Sequence, residues 1–242
     1  MYACIIKMES VTASFRNPDF QNFHKSFTLP PPTTLVGILG AALGLSPKEV
    51  QSYCEENQIY LGVNGTSQSL SRDLWKHINF NEKSDGRGII TREILFKNKF
   101  IFVFASNEKS VIEKIKTAFH SPVYALTFGT SDSLAKVSHD IELVHDLVEH
   151  NTISNTLIEG DIVSMLLNQM YLGGSFAFSL SSKEPIGFNI PTRFMYEADN
   201  EVRKVSARRF FSFVGSKVEL ADKKFQGFWT KDKQTFIPIF PF

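Results

Sequence analysis

Phe27-Thr28-Leu29-Pro30-Pro31-Pro32-Thr33-Thr34-Leu35-Val36-Gly37-Ile38-Leu39-Gly40-Ala41-Ala42-Leu43-Gly44-Leu45 is the stretch on which the reading of this chain turns. It is a loop braced by three prolines, followed by a small-residue helix that begins at paired threonines, Thr33 and Thr34. A helix start presents unpaired N–H groups and partial positive charge, which together favour an anion such as phosphate. Gly37, Gly40 and Gly44 each cost a helix roughly 1 kcal/mol relative to alanine, so close packing of the helix backbone on a sheet is expected to compensate. Upstream, Tyr2 to Phe15 alternates apolar and polar residues and reads as a long first strand ending at Ala13-Ser14-Phe15-Arg16-Asn17-Pro18. The loop from Arg16 to Pro32 is long, and a structureless loop of that length is more often functional than idle.

Downstream, Ser46 caps a second helix that starts at Pro47 and runs to about Glu56. Gln58 to Val63 reads as a strand. Gly65 to Gly88 is polar and basic, carries Trp75 and Phe80, and suggests an extended hairpin turning at Gly86-Arg87-Gly88. Ile89 to Ala105 is a strand broken near Asn98, Glu108 to Phe119 is an amphipathic helix, and Val123 to Phe128 is a short strand before the turn Gly129-Thr130-Ser131-Asp132. The order strand, helix, strand, hairpin, strand, helix, strand predicts an α+β protein: a ferredoxin-like, RRM-like βαββαβ domain with a hairpin insertion at about 65–90. Strand character recurs at Ile141–Val148, Thr156–Met165, Phe176–Leu180, Lys204–Val214 and Phe236–Phe240. These predict a smaller β-rich region over 151–242, after a first domain over 1–150.

The 242 residues suffice for one domain or two small ones, and 43% hydrophobic with 21% charged residues is the balance of an ordinary globular protein. Cys4 and Cys54 give neither a disulfide framework nor a zinc pattern and read as buried reduced thiols. Met1-Tyr2-Ala3-Cys4-Ile5-Ile6-Lys7 lacks the basic and apolar regions of a secretory signal. Leu35 to Leu45 is too short to span a bilayer, which needs about 20 residues, so a cytoplasmic protein without a membrane partner is expected. The net charge of +1 hides an uneven distribution. Arg72 to Lys99 holds seven Lys/Arg against four Asp/Glu, Arg203 to Lys233 nine against three, and Val137 to Asp161 six acids with no Lys or Arg. Such segregation suits a basic groove and an acidic docking face, although charge runs are also ordinary solvated surface. Most of the 23 phenylalanines belong in a core, and a few exposed ones suit stacking of unpaired bases.

Among the six histidines no pair stands at i,i+4 spacing, so neither a metal site nor a cofactor is called for. There is no Walker pattern and no GxGxxG after a strand; Leu172-Gly173-Gly174-Ser175 is a tight turn. Metal-free RNA cleavage would need a general base, a general acid and a cation by the scissile phosphate. His24 with Lys25 and His77 with Lys76 are the available pairs, but neighbours on a strand point to opposite faces. Single-stranded RNA binding fits the residues best. Arg16 would face the start of the Thr33 helix, while Arg72, Trp75, Lys76, Arg87 and Arg92 would line the hairpin and its base, offering bidentate phosphate contacts and a π face.

Ser14-Phe15-Arg16-x-Pro18, the block Thr28 to Gly44, Thr91-Arg92-Glu93-Ile94-Leu95 and Pro122-Val123-Tyr124-Ala125-Leu126-Thr127-Phe128-Gly129-Thr130-Ser131-Asp132 resemble the Cas-five family of the RAMP superfamily. These are subunits of type I CRISPR Cascade complexes, and the form here is most similar to type I-B. The resemblance covers roughly residues 1–136. It implies a ferredoxin-like domain with a protruding hairpin thumb and a small β-rich C-terminal part. It also implies a role in antiviral defence: binding the 5′ handle of crRNA and capping one end of the backbone filament. The implied partners are crRNA, the Cas-seven backbone subunit, the Cas-eight-type large subunit and, through the assembled complex, target DNA. RNA binding is implied for Arg16, Thr33, Thr34, Arg92, Thr130 and Ser131, which stand inside the matching blocks; Arg72, Trp75, Lys76 and Arg87 are added from their chemistry. Type I-C relatives cleave precursor crRNA, but no match to their catalytic arrangement is present, so a non-catalytic subunit is expected. The alternative is a metal-independent endoribonuclease that processes precursor crRNA.

Overall fold

In a computed structural model, residues 1–78, 86–171, 185–197 and 202–242 are described. The N-terminal part runs β1 (Tyr2–Ala13), β2 (Phe15–Arg16), β3 (Phe23–His24), β4 (Ser26–Phe27), α1 (Pro32–Leu43), α2 (Pro47–Glu56), β5 (Tyr60–Ile78), β6 (Arg87–Ser106) and α3 (Lys109–His120). Next come β7 (Ala135–Val137), β8 (Glu142–Val144), β9 (Val148–His150), β10 (Thr152–Ile153), β11 (Thr156–Glu159) and α4 (Ile162–Tyr171). The chain ends with β12 (Ile186–Glu197), β13 (Val202–Val214), β14 (Val218–Glu219), β15 (Phe225–Trp229), β16 (Phe236–Pro238) and β17 (Phe240–Pro241). The protein is a sheet-rich α+β fold with four helices among the described residues.

The main sheet has the strand order β12-β13-β11-β5-β6-β1-β7; off this path β8 pairs with β1, β3 with β6 and β17 with β5. β1 is antiparallel to β6, β6 to β5, and β7 and β8 to β1. Alternation along β1 explains its central position. Cys4, Ile6 and Met8 face α1 and α3 in a core with Leu35, Leu39, Ile112, Ile115, Phe102 and Phe104. Ala3 and Ile5 face the other way, where β15 and β16 cover them with Phe228 and Ile237. Each large apolar side chain buried this way contributes about 1.5–3 kcal/mol. Phe15, Phe100 and Phe128 pack edge-on or tilted, with centroids 5.3–6.1 Å apart, and tie the end of β1 to the turn after α3.

Several expectations change. The long loop after β1 is pinned: β2 pairs with β4, β3 joins β6 in parallel, and Asn17 N–H donates to the Lys25 carbonyl. α1 starts at Pro32, with Pro31 as N-cap. The α1 glycines do not pack on the sheet. A Cβ on Gly40 would meet Val50 of α2 at 3.1 Å, Gly44 is a left-handed C-cap (φ 75°), and Gly37 is exposed with nothing within 4 Å of its Cβ position. α2 carries the expected cap, with Ser46 and Glu49 forming a capping box. The break near Asn98 is a local distortion, with Lys97 at φ 49°, inside a continuous β6. Arg87 and Gly88 pair with Ile78 and His77, so residues expected to turn are strand.

Val123 to Phe128 is not a strand. Val123 and Tyr124 donate their N–H groups to Ala42 and Ala41, closing the carbonyl end of α1 instead of joining a ladder. Ile141–Val148 is divided into β8 and the start of β9. Thr156–Met165 stops as strand at Glu159, because Gly160 turns (φ 108°) and Asp161 accepts the Ser164 N–H to open α4. Phe236–Phe240 is two short strands separated at Ile239. Phe176–Leu180, Leu172-Gly173-Gly174-Ser175 and Phe80 lie outside the described residues. Around residue 150 the main sheet is continuous, since β11 pairs with both β5 and β13. A second apolar cluster, including Ile153, Ile162, Val218 and Phe225, is nevertheless built from later residues. No helix among the described residues is long and apolar enough to cross a membrane.

Candidate nucleic-acid interface

β5 and β6 pair without interruption from Tyr60↔Ala105 to Ile78↔Arg87. β1 accompanies β6 only as far as Ala13↔Leu95, so beyond that point the sheet narrows to a two-stranded thumb flanked by β3. Alternation then sorts its side chains. Arg72 and Lys76 share one face and Trp75 takes the other. Both cations are exposed, and the Arg72 guanidinium lies 5.5 Å from the Phe23 ring centroid. Trp75, 46% exposed, stands 5.9 Å from the His24 ring. Arg87 begins the return strand, and its side chain, like that of His77, is outside the described residues.

Arg92 occupies the thumb root, opposite Asp73 in the ladder. Its side chain is 11% exposed, donates to Asp73 at 3.2 Å and to Asp132 at 3.3 Å, and lies 5.7 Å from the Trp75 centroid. Its Nε is buried with no partner among the described residues. The Asp132 carboxyl is held below the usual carboxylate range by a hydrogen bond from Thr130 and, secondarily, by Arg92, against an opposing effect of burial. The turn is fixed from behind. Ser14 N–H donates to the Phe128 carbonyl, Thr130 bonds Ser133 through their hydroxyls, and Gly129 (φ 89°) lies so close that a Cβ would come within 1.9 Å of the Ser14 carbonyl oxygen. Arg92, Trp75, Thr130 and Asp132 thus form one constellation, with Ser131 exposed beside it.

Arg16 is exposed and forms no ion pair among the described residues; no hydrogen bond links it to Thr33 or Thr34. The helix start is a weaker anion site than the sequence suggested. Pro31 and Pro32 have no N–H, and the Thr34 N–H donates to the Pro31 carbonyl, leaving Thr33 as the donor without a backbone partner among the described residues. Thr33 and Thr34 point into different hollows. Thr34 lines one of about 190 Å³ with Gly37, Thr127 and Gly129, which links it to the Thr130 turn. Thr33 lines a larger one beside β12.

The charge runs are partly consumed inside the fold. Glu142 is buried, accepting from Lys7 at 2.9 Å and from the Lys231 N–H, while Glu159 faces Arg209. Asp140, Asp146 and Glu149 remain exposed in the acidic stretch. Burial pushes both thiols up to about 12, so neither Cys4 nor Cys54 is an available nucleophile. His24 is 7% exposed. No group of three or more His, Cys, Asp or Glu that could hold a metal occurs among the described residues.

Sequence reasoning missed Asp73 and Asp132 as partners of Arg92. The Asp73↔Arg92 register was the missing signal, since counting back from the hairpin required a turn position that the glycines misplaced. It also missed Tyr124, Phe194, Tyr196 and Arg203, which come together only through tertiary packing.

The chain matches the family described as CRISPR-associated protein (Cas_Cas5) over residues 5–211. Its fold is similar to that of a CRISPR protein from Archaeoglobus fulgidus, at 16% identity and a TM-score of 0.54 over 98% of this chain and 99% of that one. A chain of a CRISPR RNA-guided surveillance complex is similar at 11% identity and a TM-score of 0.51, over 90% of each chain. A crystallised Cas protein aligns at 17% identity with a TM-score of 0.37, over 53% of this chain and 57% of that one. No curated protein matches the chain.

Proposed function

Since the chain belongs to the CRISPR-associated Cas5 family, we propose that it is a non-catalytic RNA-binding subunit of a type I CRISPR Cascade complex, acting in the cytoplasm. In this reading it grips the 5′ handle of crRNA, caps the backbone filament, and meets the Cas-seven and Cas-eight-type subunits, with target DNA engaged through the assembled complex. The observation that carries the proposal is the two-stranded thumb, which exposes Arg72, Trp75 and Lys76 where the sheet narrows. Exposed arginine and an open indole face suit phosphates and splayed bases of a single strand. The strand order β7-β1-β6-β5, with α1 and α3 on one face, supports the ferredoxin-like reading of the N-terminal part. A non-catalytic role is supported by the thumb-root chemistry: Arg92 is committed to two carboxylates and the adjacent His24 is buried.

The test is a gel assay of the purified protein with labelled CRISPR repeat RNA in EDTA. The expected result is intact RNA and a shift that requires the 5′ handle, weakened by Arg16→Ala and lost when the thumb is shortened. Discrete cleavage within the repeat, lost in His24→Ala or His77→Ala, would instead assign precursor processing to this chain.

A further inference from the structure

A second hollow, of about 380 Å³, lies between α1, the start of α2, Tyr124 and the paired strands β12 and β13. Its frame is preformed. The Gln51 amide donates to the Phe194 carbonyl at 3.0 Å and accepts the Phe194 N–H at 2.9 Å, fastening α2 to β12. Phe194 and Tyr196 supply ring surface, and the Arg203 guanidinium lies 5.0 Å from the Phe194 centroid. Arg203 is exposed and pairs with no carboxylate among the described residues. Its neighbours are spoken for: Lys204 faces Glu197, Arg208 faces Asp19, Arg209 faces Glu159 and Arg193 faces Glu55. Of the five cations on those two strands, Arg203 is thus the one that lines the hollow without a carboxylate among the described residues, and its charge is complemented by an anionic occupant.

Gly37 adds a direction. It lines both this hollow and the smaller one that reaches Thr127 and Gly129, and no packing contact accounts for a glycine there. A missing side chain between two hollows that share Gly37 and Ala41 in their walls lets a chain pass close to the helix backbone.

We propose that this groove is a second subsite for single-stranded RNA. One unstacked base lies against Phe194 and Tyr196, Arg203 holds an adjoining phosphate, and the strand crosses α1 over Gly37 toward the Gly129–Ser131 turn. The inference rests on the RNA-binding reading above and extends it beyond the thumb. Aromatic faces beside an exposed arginine that has no carboxylate among the described residues suit a base and its phosphate irrespective of sequence.

The test uses the full chain and a fluorescein-labelled single-stranded oligouridine, followed by anisotropy at low salt. Arg203→Gln removes the phosphate anchor. Gly37→Gln fills the crossing while replacing a helix-interior glycine, so its melting temperature is expected to hold or rise. Both variants are expected to bind about tenfold or more weakly, whereas Lys109→Gln on α3, lining neither hollow, binds as wild type. Oligouridine carrying 4-thiouridine is expected to crosslink at Tyr124 or within 190–197. Unchanged affinity in both variants, with crosslinks confined to the thumb, would overturn the groove assignment, leave the RNA-binding reading standing and give the groove to a protein partner. Failure of the wild type to bind both oligouridine and repeat RNA would remove the proposed function and this inference together.

Discussion

The thumb root and the groove beside α1 each hold an arginine over an aromatic ring, and they use it in opposite ways. Arg92 is desolvated and spends its charge on Asp73 and Asp132, so it joins β5, β6 and the Gly129–Ser133 turn. Arg203 is exposed over Phe194 and leaves its charge unmatched by any described carboxylate. An arginine clamped by two acids is a positioning device, whereas one fixed only by a ring remains available to a phosphate. The thumb root is therefore read as a rigid platform that orients Trp75. The same contrast appears in the glycines: Gly129 has no room for a side chain, and Gly37 has nothing but room.

The glycine pair gives the largest expected effect. Gly129→Val places a branched side chain at φ 89° with its Cβ 1.9 Å from the Ser14 carbonyl oxygen, so backbone must move. A loss of about 3 kcal/mol or more in unfolding free energy is expected, read as a lowered urea midpoint. Gly37→Ala meets no atom and gains helix propensity, so a rise of about 0.5–1 kcal/mol is expected. Equal destabilisation by both changes would dissolve the distinction between the two regions.

Arg92→Met comes next. It keeps an apolar stem but removes both ion pairs and the charge over Trp75. A fully buried pair broken at one partner costs about 3–5 kcal/mol, but Asp73 and Asp132 are 47% and 61% exposed and can rehydrate, so about 1–2 kcal/mol is expected. Equilibrium urea unfolding would measure the loss, and a changed Trp75 emission in the folded baseline would show that the indole had lost its orientation. An unaltered midpoint and spectrum would mean that Arg92 positions nothing.

How far this contrast was legible in the sequence follows from the range of each interaction. Local signals carried α2, because Ser46, Pro47 and Glu49 encode a cap within four residues. Periodicity carried β1 and α3, and paired strands around a polar aromatic stretch carried the thumb. Val123–Phe128 misled because its β-branched and aromatic residues have strand propensity, while the fold needed its N–H groups at the end of α1. The α1 glycines were visible but not their separate reasons, since an α2 valine, a left-handed cap and open space look alike in one dimension. Arg92 was recognised as a special position, yet its partners lie 19 and 40 residues away. Arg203 could be counted in a basic run but not singled out, because its neighbours' acids come from α2, β11 and the loop after β2.

The smallest expected effect concerns pH, and it separates the two arginines through the titration of Asp132. The Asp132 carboxyl is held below its ordinary value, about 3.9, by Thr130 first and Arg92 second. A carboxylate with a lowered folded-state pKa stabilises the fold above the unfolded value and loses that contribution as pH falls through the folded one. The urea midpoint of wild type is therefore expected to fall on acidification from about pH 5 toward pH 3, and Asp132→Asn is expected to flatten part of that slope. The exposure of Asp132 keeps the difference modest, since solvent screens both of its partners. In Arg92→Met the slope belonging to Asp132 should shrink but persist, because the Thr130 hydroxyl still favours the charged form. Arg203→Gln should leave it untouched, and a change there would mean that groove and thumb root are electrostatically one site rather than two.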